Sequence, residues 1–205
     1  MNKGSVAGLV LAAGASTRMG QPKQLLPVDG GTIIERALNE ALNSDLDKVV
    51  LVLGYHAGRI KKVIKHILIN PKLKVVLNRE FRRGMSSSII SGLAEIEDNY
   101  DHVMILLADM PYINSELINF LLHRYLVSSL HLGAISIKGK RSHPVIISSR
   151  FFNELRNLKG DTGARSLFRK YSDQVCLVEA EGNYDEKDID TPDDYNSFIR
   201  KHTGR

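Results

Sequence analysis

Four apolar runs in the first half of the chain have the length of buried strands. Each is followed by a stretch in which apolar residues recur with helical spacing. The four runs are Val6–Leu11, Val49–Leu53, Leu73–Asn78 and Val103–Ala108. Continuous apolar strands that alternate with amphipathic helices are typical of a mainly parallel sheet covered on both faces. The pattern therefore predicts an α/β fold built from repeated strand and helix units.

Two helices have clear start signals in the sequence. Thr32 and Glu35 have the spacing of a capping box. Thr32 lies before an apolar stripe and Glu35 lies within it. The stripe is formed by Ile33, Ile34, Ala37, Leu38, Ala41 and Leu42. The segment Thr191–Asp194 combines a cap hydroxyl, a proline at the first helical position and acids in the first turn. We therefore predict one helix after Thr32 and a last helix after Thr191.

The pattern is looser between the fourth apolar run and the last helix. Short strands are predicted around Gly133–Ile137, Pro144–Ser148 and Val175–Glu179, and helices near Phe151–Leu158 and Thr162–Tyr171. We expect this half to extend the sheet and to supply an acceptor site. Ligands of open α/β sheets bind beyond the carboxyl ends of the strands, so candidate residues are sought there.

Length and composition favour one globular domain, residues 1–205. The chain has 205 residues, of which 43% are hydrophobic and 25% charged, without a repeat or a low-complexity tract. The apolar runs are too short for a membrane span, and Met1–Ser5 lacks the apolar core of a signal peptide. Cys176, the single cysteine, cannot form an internal disulfide and is expected in the core. These features predict a cytoplasmic protein without a membrane partner.

The formal charge of +5 raises the question of nucleic-acid binding. Much of the excess lies on one predicted helix, at Arg59, Lys61, Lys62, Lys65 and His66. The apolar stripe of that helix, on the opposite face, is formed by Ile60, Val63, Ile64, Ile67 and Leu68. No interleaved aromatic residues offer a platform for stacking bases. A solvated basic face is therefore favoured, and no nucleic-acid partner is expected.

The first predicted strand leads into a loop of small residues that carries two cations. Small side chains let backbone N–H groups approach a polyphosphate, and Arg18 and Lys23 can neutralise its charge. The loop matches neither G-x-G-x-x-G nor the Walker A pattern. From these residues alone, a phosphate-binding loop and a tight structural connection are equally supported.

A longer string of residues resembles a known family. The pattern L-A-A-G-x-S-x-R-M-G-x-x-K, from Leu11 to Lys23, is similar to the signature of nucleotidyltransferases acting on molybdenum cofactor and on sugar or alcohol phosphates. Further motifs narrow the resemblance to the MocA-like molybdenum cofactor cytidylyltransferases over nearly the whole chain. They are Gly54-Tyr55, Asn78 with Gly84–Ser88, Ala108–Pro111, His143–Val145, Gly160–Arg165 and Asp188–Pro192.

The resemblance implies a fold, a reaction and a set of site residues. The implied fold is a Rossmann-like three-layer α/β/α domain of the nucleotide-diphospho-sugar transferase type. CTP is implied as donor, Mg²⁺ as cofactor and the phosphate of molybdopterin (molybdenum cofactor) as acceptor. A molybdenum hydroxylase such as xanthine dehydrogenase, an enzyme of purine catabolism, is the implied recipient. Implied nucleotide-binding residues are Leu11, Ala12, Ala13, Gly14, Ala15, Ser16, Arg18, Lys23, Gly54, Asn78, Gly84, Met85, Ser86, Ser87 and Asp109.

Asp109 and Asp190 are the implied metal ligands and, with Lys23 and Arg18, the implied catalytic residues. Asp109 follows a buried strand, where no core partner explains a carboxylate. Mg²⁺ prefers hard oxygen ligands and is held by one or two carboxylates together with substrate phosphates. The structural alternative is that Asp109 caps a turn and Asp190 merely precedes a helix. Asp188 is not expected to bind the metal, although alternation lets it face the same way as Asp190.

The segment Gly84–Ser88 opens a predicted helix that runs through Ile96. Its amides and hydroxyls lie at the positive end of that helix, which suits a ribose, a base edge or a phosphate. Serines at this position are also ordinary helix caps. The Asn78 amide offers donors and an acceptor for a base edge.

His143, Pro144 and Arg165 are the implied acceptor-binding residues. Arg165 could clamp a phosphate with two parallel hydrogen bonds, or it could pair with an acid. His143 could otherwise be a loop histidine fixed by Pro144. Met110 departs from the family, whose members commonly carry glutamine there. We expect the metal site to persist, because Asp109 and Pro111 are kept.

The implied reaction is an in-line attack by the acceptor phosphate on the α-phosphorus of CTP. Pyrophosphate leaves, and no covalent enzyme intermediate is needed. Catalysis then consists of aligning two anions and neutralising their charge. Four alternatives stay open: transfer to another phosphorylated acceptor, GTP as donor, a nicotinamide-dependent oxidoreductase, and a carrier of molybdenum cofactor. Ala13, where guanylyl-transferring relatives usually show glycine, favours CTP over GTP.

Overall fold

A mixed sheet with helices on both faces forms the centre of the fold. The computed structural model describes residues 4–16, 19–180 and 184–203. Its elements, in chain order, are β1 (Val6–Ala12), β2 (Pro27–Val28), β3 (Gly31–Thr32), α1 (Ile33–Asn43), β4 (Lys48–Leu53), α2 (Ala57–Val63), β5 (Leu73–Leu77), α3 (Met85–Leu93), β6 (His102–Leu107), α4 (Ser115–Val127), β7 (Leu132–Ile137), β8 (Lys140–Ser148), α5 (Phe152–Arg156), α6 (Arg165–Lys170), β9 (Val175–Glu179) and α7 (Pro192–Thr203).

The strands pair in the order β5-β4-β1-β6-β8-β7-β9 within the described residues. All neighbours are parallel except those of β8, which runs antiparallel to β6 and to β7. The predicted, mainly parallel α/β sheet is confirmed. From β1 the chain first builds outward through β4 and β5, then returns to place β6 on the other side of β1. The carboxyl ends of β1 and β6 therefore flank a topological switch point, where open α/β sheets bind ligands.

Two apolar cores cover the two faces of the sheet and confirm the three-layer architecture. Alternate residues of β1 point to opposite faces, with Val10 in one core and Leu9 in the other. Helices α1, α2 and α4 pack on the Val10 side, and α3, α5 and α6 pack on the Leu9 side. Both residues are almost fully buried, so β1 is held from both faces. This rigid central strand presents the loop that follows it.

A third apolar cluster attaches the C-terminal segment to that loop. It consists of Met19, Leu26, Val28, Ile33, Ile189 and Phe198. The Tyr195 hydroxyl of α7 donates a hydrogen bond to the Pro27 carbonyl at 2.7 Å. Residues that lie far apart in sequence, at the start of α7 and just after β1, are thereby brought together.

The predicted helix starts are confirmed, while several element lengths differ from prediction. The Thr32 side chain accepts a hydrogen bond from the Glu35 amide, and Thr191 and Asp194 cap α7 in the same way. The helices predicted near Phe151–Leu158 and Thr162–Tyr171 are shorter and form α5 and α6. No helix within the described ranges is long and apolar enough to cross a membrane.

The prediction of the basic helix is confirmed for its polar face and wrong at one apolar position. All five predicted basic residues are exposed. Leu68, predicted in the buried stripe, is 37% exposed. The reason is that α2 ends at Val63 and a 3₁₀ turn, Ile64–His66, follows it. A 3₁₀ turn has three residues per turn, so the stripe loses its helical spacing. Cys176 lies half-buried in β9 against one of the cores.

Candidate active site

Lys23 lies between two carboxylates beyond the carboxyl ends of β1 and β6. Its Nζ is 2.5 Å from Asp109 Oδ2 and 2.7 Å from Asp190 Oδ1. The lysine side chain is only 13% exposed. Burial alone would lower the pKa of Lys23, but the charges and hydrogen bonds of Asp109 and Asp190 outweigh it and raise that pKa. Lys23 is therefore a cation at neutral pH, and the predicted grouping of these three residues is observed.

Asp188 joins the same cluster, although the sequence interpretation set it aside. One carboxylate oxygen each of Asp109, Asp188 and Asp190 lies within 4.8 Å of the others. Ile189, between Asp188 and Asp190, is buried and donates its amide to the Asp109 carbonyl at 2.9 Å. Partial burial, followed by the charges of Asp190 and Asp109, raises the pKa of Asp188. The alternation in Asp188-Ile189-Asp190 was the available signal.

The loop after β1 is shaped by hydrogen bonds within the protein. Ser16 adopts a positive φ of 53°, and its hydroxyl accepts the Lys23 amide at 3.2 Å. Gln24, which is 2% exposed, donates its side-chain amide to the Gly14 carbonyl at 3.3 Å. Gln24 was missed at the sequence level because nothing local marks it as a support for the loop. Of the predicted loop residues, Arg18 lies outside the described residues.

Gly54 lets the end of β4 pass close to this loop. A Cβ atom at Gly54 would lie 2.5 Å from the Ala13 carbonyl oxygen. The adjacent Tyr55 amide donates a hydrogen bond to that same oxygen at 3.3 Å. The predicted residues Leu11 and Ala12 lie within β1 and lead directly into this contact. Gly54 therefore acts on the loop through close backbone packing.

A cleft of about 650 Å³ borders the loop. Gly14, Ala15 and Ser16 of the loop line it. Its other lining residues include Tyr55, His56, Arg59, Phe81 and Arg82. The rings of Tyr55 and Phe81 lie 5.7 Å apart. Aromatic faces and guanidinium groups beside a loop of small residues provide surfaces for a base and for phosphate charge.

Asn78 is a buried support for the start of α3. Its amide nitrogen donates to the hydroxyls of Ser87 and Ser88, at 2.9 and 3.0 Å, and its oxygen accepts from the Glu80 amide at 2.8 Å. The side chain is thus engaged within the protein, in a residue that is 1% exposed. Its role as a direct nucleotide contact stays a prediction.

The start of α3 packs against the segment that contains Asp161. The Met85 amide donates to Asp161 Oδ1 at 2.9 Å, and the Ser86 amide donates to the Gly160 carbonyl at 3.1 Å. Gly84 has a φ of +92°, and a Cβ there would lie 2.6 Å from Asp161 Oδ1. The two motifs predicted to serve the nucleotide and the acceptor are therefore neighbours. The positive end of α3 already interacts with a carboxylate of the protein.

A second cavity, of about 840 Å³, contains two of the predicted acceptor residues, His143 and Arg165. Asp188 and Met110 also line it, which joins it to the carboxylate cluster. His143 Nδ1 is buried and has no hydrogen-bond partner among the described residues. Burial lowers the pKa of His143, against the opposing effects of a hydrogen bond to the Ile105 backbone and the charge of Asp109. The third predicted residue, Pro144, is buried in β8.

Met110 keeps the loop after β6 in place without the amide that the family commonly has there. Its side chain is 5% exposed and belongs to the core on the Val10 side. Its backbone amide donates to the Leu107 carbonyl at 3.2 Å. The neighbouring Asp109 still reaches Lys23, so the carboxylate cluster forms with methionine at this position.

Comparison with protein families gives the decisive match. A family model described as a MobA-like NTP transferase domain matches residues 8–175. The chain belongs to this family. The match covers most of β1, the loop after it, Asp109 and most of the residues that line the second cavity. It ends before Asp188 and Asp190, which complete the carboxylate cluster of this MobA-like NTP transferase.

Three curated relatives align with most of the chain. The Purine catabolism protein PucB of Bacillus subtilis is 32% identical, over 94% of this chain and 95% of the relative. Nicotine blue oxidoreductase of Paenarthrobacter nicotinovorans is 30% identical, over 91% and 92%. Molybdenum cofactor cytidylyltransferase of Escherichia coli is 26% identical, over 95% and 96%. Homologous MobA-like proteins therefore carry names from more than one reaction class.

Solved structures share the fold over almost the full chain. A Mycobacterium sp. strain JC1 homologue of a Mycobacterium tuberculosis protein superposes with a TM-score of 0.84 at 26% identity, over 97% of both chains. The Mycobacterium tuberculosis protein, in complex with manganese, gives 0.79 at 26% identity, over 96% and 98%. A nucleotidyl transferase from Methanothermobacter gives 0.80 at 20% identity, over 98% of both chains. The predicted nucleotide-sugar transferase-like fold is confirmed.

The donor set of the cluster fits a hard divalent cation. Three carboxylates supply only oxygen ligands, which Mg²⁺ and Mn²⁺ prefer over the sulfur or imidazole ligands typical of other metals. Lys23 contacts two of the same carboxylates, so its ammonium group would compete with a metal for their oxygens. The site of this MobA-like transferase thus combines a fixed cation with a carboxylate group that could hold a metal.

Proposed function

We propose that this transferase moves CMP from CTP to the terminal phosphate of molybdopterin in molybdenum cofactor and releases pyrophosphate. The observation that carries the proposal is the position of the charged cluster relative to the two cavities. Ser16, which accepts the Lys23 amide, lines the cleft beside the loop, and Asp188 lines the second cavity. A nucleotide in the first and an acceptor in the second would meet at Lys23 and the aspartates.

The chemistry requires bringing two anions together. An oxygen of the acceptor phosphate forms a bond to the α-phosphorus of CTP, and the bond between that phosphorus and the bridging oxygen to the β-phosphorus breaks. Lys23 is a cation at the junction and offsets the negative charge of both reactants. The attacking phosphate is already ionised at neutral pH and needs no general base. A divalent metal held by Asp109, Asp188 and Asp190 would supply further neutralisation of phosphate charge.

Mg²⁺ is the proposed metal, with the carboxylate cluster as its ligands. Oxygen-only ligation supports it, as does the manganese complex of a structural relative at 26% identity. The Escherichia coli relative supports CTP and molybdenum cofactor as the substrates. Ala13 supports CTP over GTP. We further propose that residues 1–205 act as one catalytic unit and that the product serves a molybdenum hydroxylase such as xanthine dehydrogenase, in keeping with the name of the Bacillus subtilis relative.

Pyrophosphate release tests the proposal. The purified protein is incubated with Mg²⁺ and molybdenum cofactor, and CTP, GTP, ATP and UTP are compared. Release with CTP above all others is the expected result. Release with another nucleotide would identify that nucleotide as the donor in place of CTP. Release only with a different phosphorylated acceptor would identify that molecule as the acceptor. Binding of molybdenum cofactor without any release would favour a carrier.

A second candidate function is a nicotinamide-dependent oxidoreductase, because a relative named nicotine blue oxidoreductase is 30% identical. Three clustered carboxylates around a lysine serve phosphoryl chemistry and have no evident part in hydride transfer. The loop after β1 also lacks the G-x-G-x-x-G pattern that binds dinucleotides. Oxidation of NADH or NADPH with a small heterocyclic acceptor, without pyrophosphate release from CTP, would establish this alternative.

A further inference from the structure

Three arginines converge on the second cavity. Arg141 belongs to β8, while Arg165 and Arg169 lie four residues apart on α6. That spacing places the two α6 side chains on one face of the helix. All three line the same cavity as His143 and Asp188. The sequence resemblance assigns a role only to Arg165 and places Arg141 within an acceptor-facing segment; Arg169 joins them through the packing of α6 against the sheet.

Arg141 is fixed in place despite the like charges around it. Its guanidinium carbon lies 4.7 Å from the centre of the Phe168 ring, a ring that is 3% exposed. Burial and then the positive charges of Arg165 and Arg169 lower the pKa of Arg141. The guanidinium still keeps its charge at neutral pH. Three repelling cations are thus held around one partly enclosed space, which disfavours the arrangement unless an anion offsets them.

No acid within the described residues forms an ion pair with these arginines. Three acids, Asp161, Glu186 and Asp188, line the same cavity without pairing with them. Asp161 instead accepts a hydrogen bond from the Met85 amide. Other arginines of the chain do pair with acids, as Arg36 does with Asp29 and Arg156 does with Glu97. The three guanidinium groups are therefore not engaged in ion pairs within the described residues and can bind an anionic ligand.

We propose that Arg141, Arg165 and Arg169 form an oxyanion subsite that holds a phosphate or another tetrahedral oxyanion of the acceptor. Planar guanidinium groups bind such anions through paired hydrogen bonds. The subsite deepens the proposed function and rests on it. The acceptor would then be a multiply charged molecule. The arginines would recognise it through this oxyanion and position it for attack. Neutral acceptors, or acceptors with one negative charge, are expected to be poor substrates.

Titration with inorganic phosphate, followed by calorimetry, tests the subsite directly. Arg141→Gln and Arg169→Gln should each weaken phosphate binding by about 10-fold to 100-fold, the equivalent of a lost charge-assisted hydrogen bond. Lys170→Gln is the matched control, because it removes the same charge from α6 at an exposed residue that lies over Tyr171, outside the cavity lining. It should change phosphate affinity less than about twofold, as expected for a screened surface charge.

Two results would overturn the subsite. One is equal weakening by Lys170→Gln and by the arginine variants, which would indicate general charge attraction. The other is saturable phosphate binding that persists in an Arg141→Gln, Arg169→Gln double variant and disappears in Lys23→Gln. Circular dichroism of each variant confirms that it is folded. Arg169 is exposed, so Arg169→Gln alone keeps the test decisive if the Arg141 variant does not fold.

A kinetic measurement separates the subsite from the reaction. In the pyrophosphate assay, the arginine variants should raise the KM for the acceptor by a similar factor and leave the KM for CTP unchanged. Turnover of the arginine variants with an unchanged acceptor KM would contradict the subsite and leave the proposed function standing. If the protein releases no pyrophosphate with any nucleotide, but the arginine variants lose phosphate binding, the proposed function is contradicted and the subsite is supported.

Discussion

Lys23 Nζ lies 2.5 Å from Asp109 Oδ2, although the two residues follow different strands of the sheet. The strands concerned, β1 and β6, are direct neighbours, with Leu11 opposite Leu107. Their parallel pairing makes the two chains leave the sheet at the same edge, and Asp190 approaches from the start of α7. A lysine cation is thereby placed among carboxylates at the switch point of the sheet, where a polyphosphate can compete for the lysine and a metal for the carboxylates.

Replacing Lys23 with alanine should separate two effects: the binding of a polyphosphate to the lysine, and the binding of a metal to the carboxylates. The carboxylates would lose their shared cation, so the free energy of unfolding should fall by roughly 1–3 kcal/mol. Nucleotide binding and turnover should both weaken. Binding of Mn²⁺ without nucleotide should tighten, because the ammonium group no longer occupies the same oxygens. Calorimetric Mn²⁺ titration measures the last effect, with the exposed Lys61→Ala as control. Weaker Mn²⁺ binding in Lys23→Ala would contradict the competition.

Replacing each aspartate with asparagine tests the metal-binding group. Asp109→Asn, Asp188→Asn and Asp190→Asn should each weaken Mn²⁺ binding by at least about tenfold, because each removes a charged oxygen ligand. Glu186 is an exposed acid that lines the second cavity. Glu186→Gln is therefore the matched control and should leave the Mn²⁺ affinity unchanged. Electron paramagnetic resonance of bound Mn²⁺ measures the affinity. Asp188→Asn with wild-type affinity would restrict the group to Asp109 and Asp190.

Removing the carboxylate of Asp109 or Asp190 should affect turnover more than nucleotide binding. Asp109→Ala and Asp190→Ala should abolish pyrophosphate release with Mg²⁺ and change the affinity for CTP much less, since the base and ribose are proposed to bind in the cleft beside the loop after β1. Equilibrium binding of a fluorescent CTP analogue gives the affinity for comparison. If Asp109→Ala retains wild-type turnover with Mg²⁺, the metal assignment is wrong.

Replacing Gly84 with alanine should destabilise the junction of α3 with the Asp161 segment. A Cβ atom there would lie 2.6 Å from the Gly160 carbonyl carbon, on a backbone with a φ of +92°. Strain and overlap together should lower the free energy of unfolding by roughly 2–4 kcal/mol. Gly139→Ala has a similar φ, +75°, but meets no atom within 4 Å, and should lower it by only about 1–2 kcal/mol. Urea unfolding of both variants measures the difference, and equal losses would contradict the close contact.

Stability should fall as the pH is lowered through the imidazole range. Burial lowers the pKa values of both His102 and His143, so the folded protein binds fewer protons than the unfolded chain does below about pH 6.5. The stabilisation is present above that pH and is lost as the pH falls. Urea unfolding at about pH 7.5 and about pH 5 should show this loss, and His102→Gln and His143→Gln should each reduce it. An unchanged loss in both variants would contradict the assignment.

Much of the fold follows from local patterns, but the orientation of the second half does not. The apolar runs of β1, β4, β5 and β6 are each followed by a helix, the kind of crossover connection that joins parallel strands. The run that becomes β8 carries the same kind of apolar residues as its neighbours, and an apolar run has no direction of its own. Its antiparallel orientation results from the short connection between Ile137 and Lys140, where Lys138 and Gly139 adopt positive φ values.

The site shows the same division between local and long-range causes. Lys23 and Asp109 could be placed beforehand near the edge where strands end, and the family resemblance added Asp190 to them. Asp161 could not be predicted as a partner of α3, because it lies 76 positions from Met85 and the contact depends on the packing of two loops. Asp188 is not expected as a ligand because the resemblance assigns the metal role to Asp190. The structure brings Asp188 into the cluster because Ile189, next to it, is buried in the third apolar cluster.

The most direct test of the reaction follows CTP radiolabelled at its α-phosphorus, incubated with the protein, Mg²⁺ and active molybdenum cofactor. Nucleotidyl transfer predicts that the label moves into a product containing both the cytidine nucleotide and the pterin, in an amount equal to the pyrophosphate released. It also predicts no such product with Asp109→Ala. Label that stays in CTP, or appears only as free CMP, would contradict the proposed function.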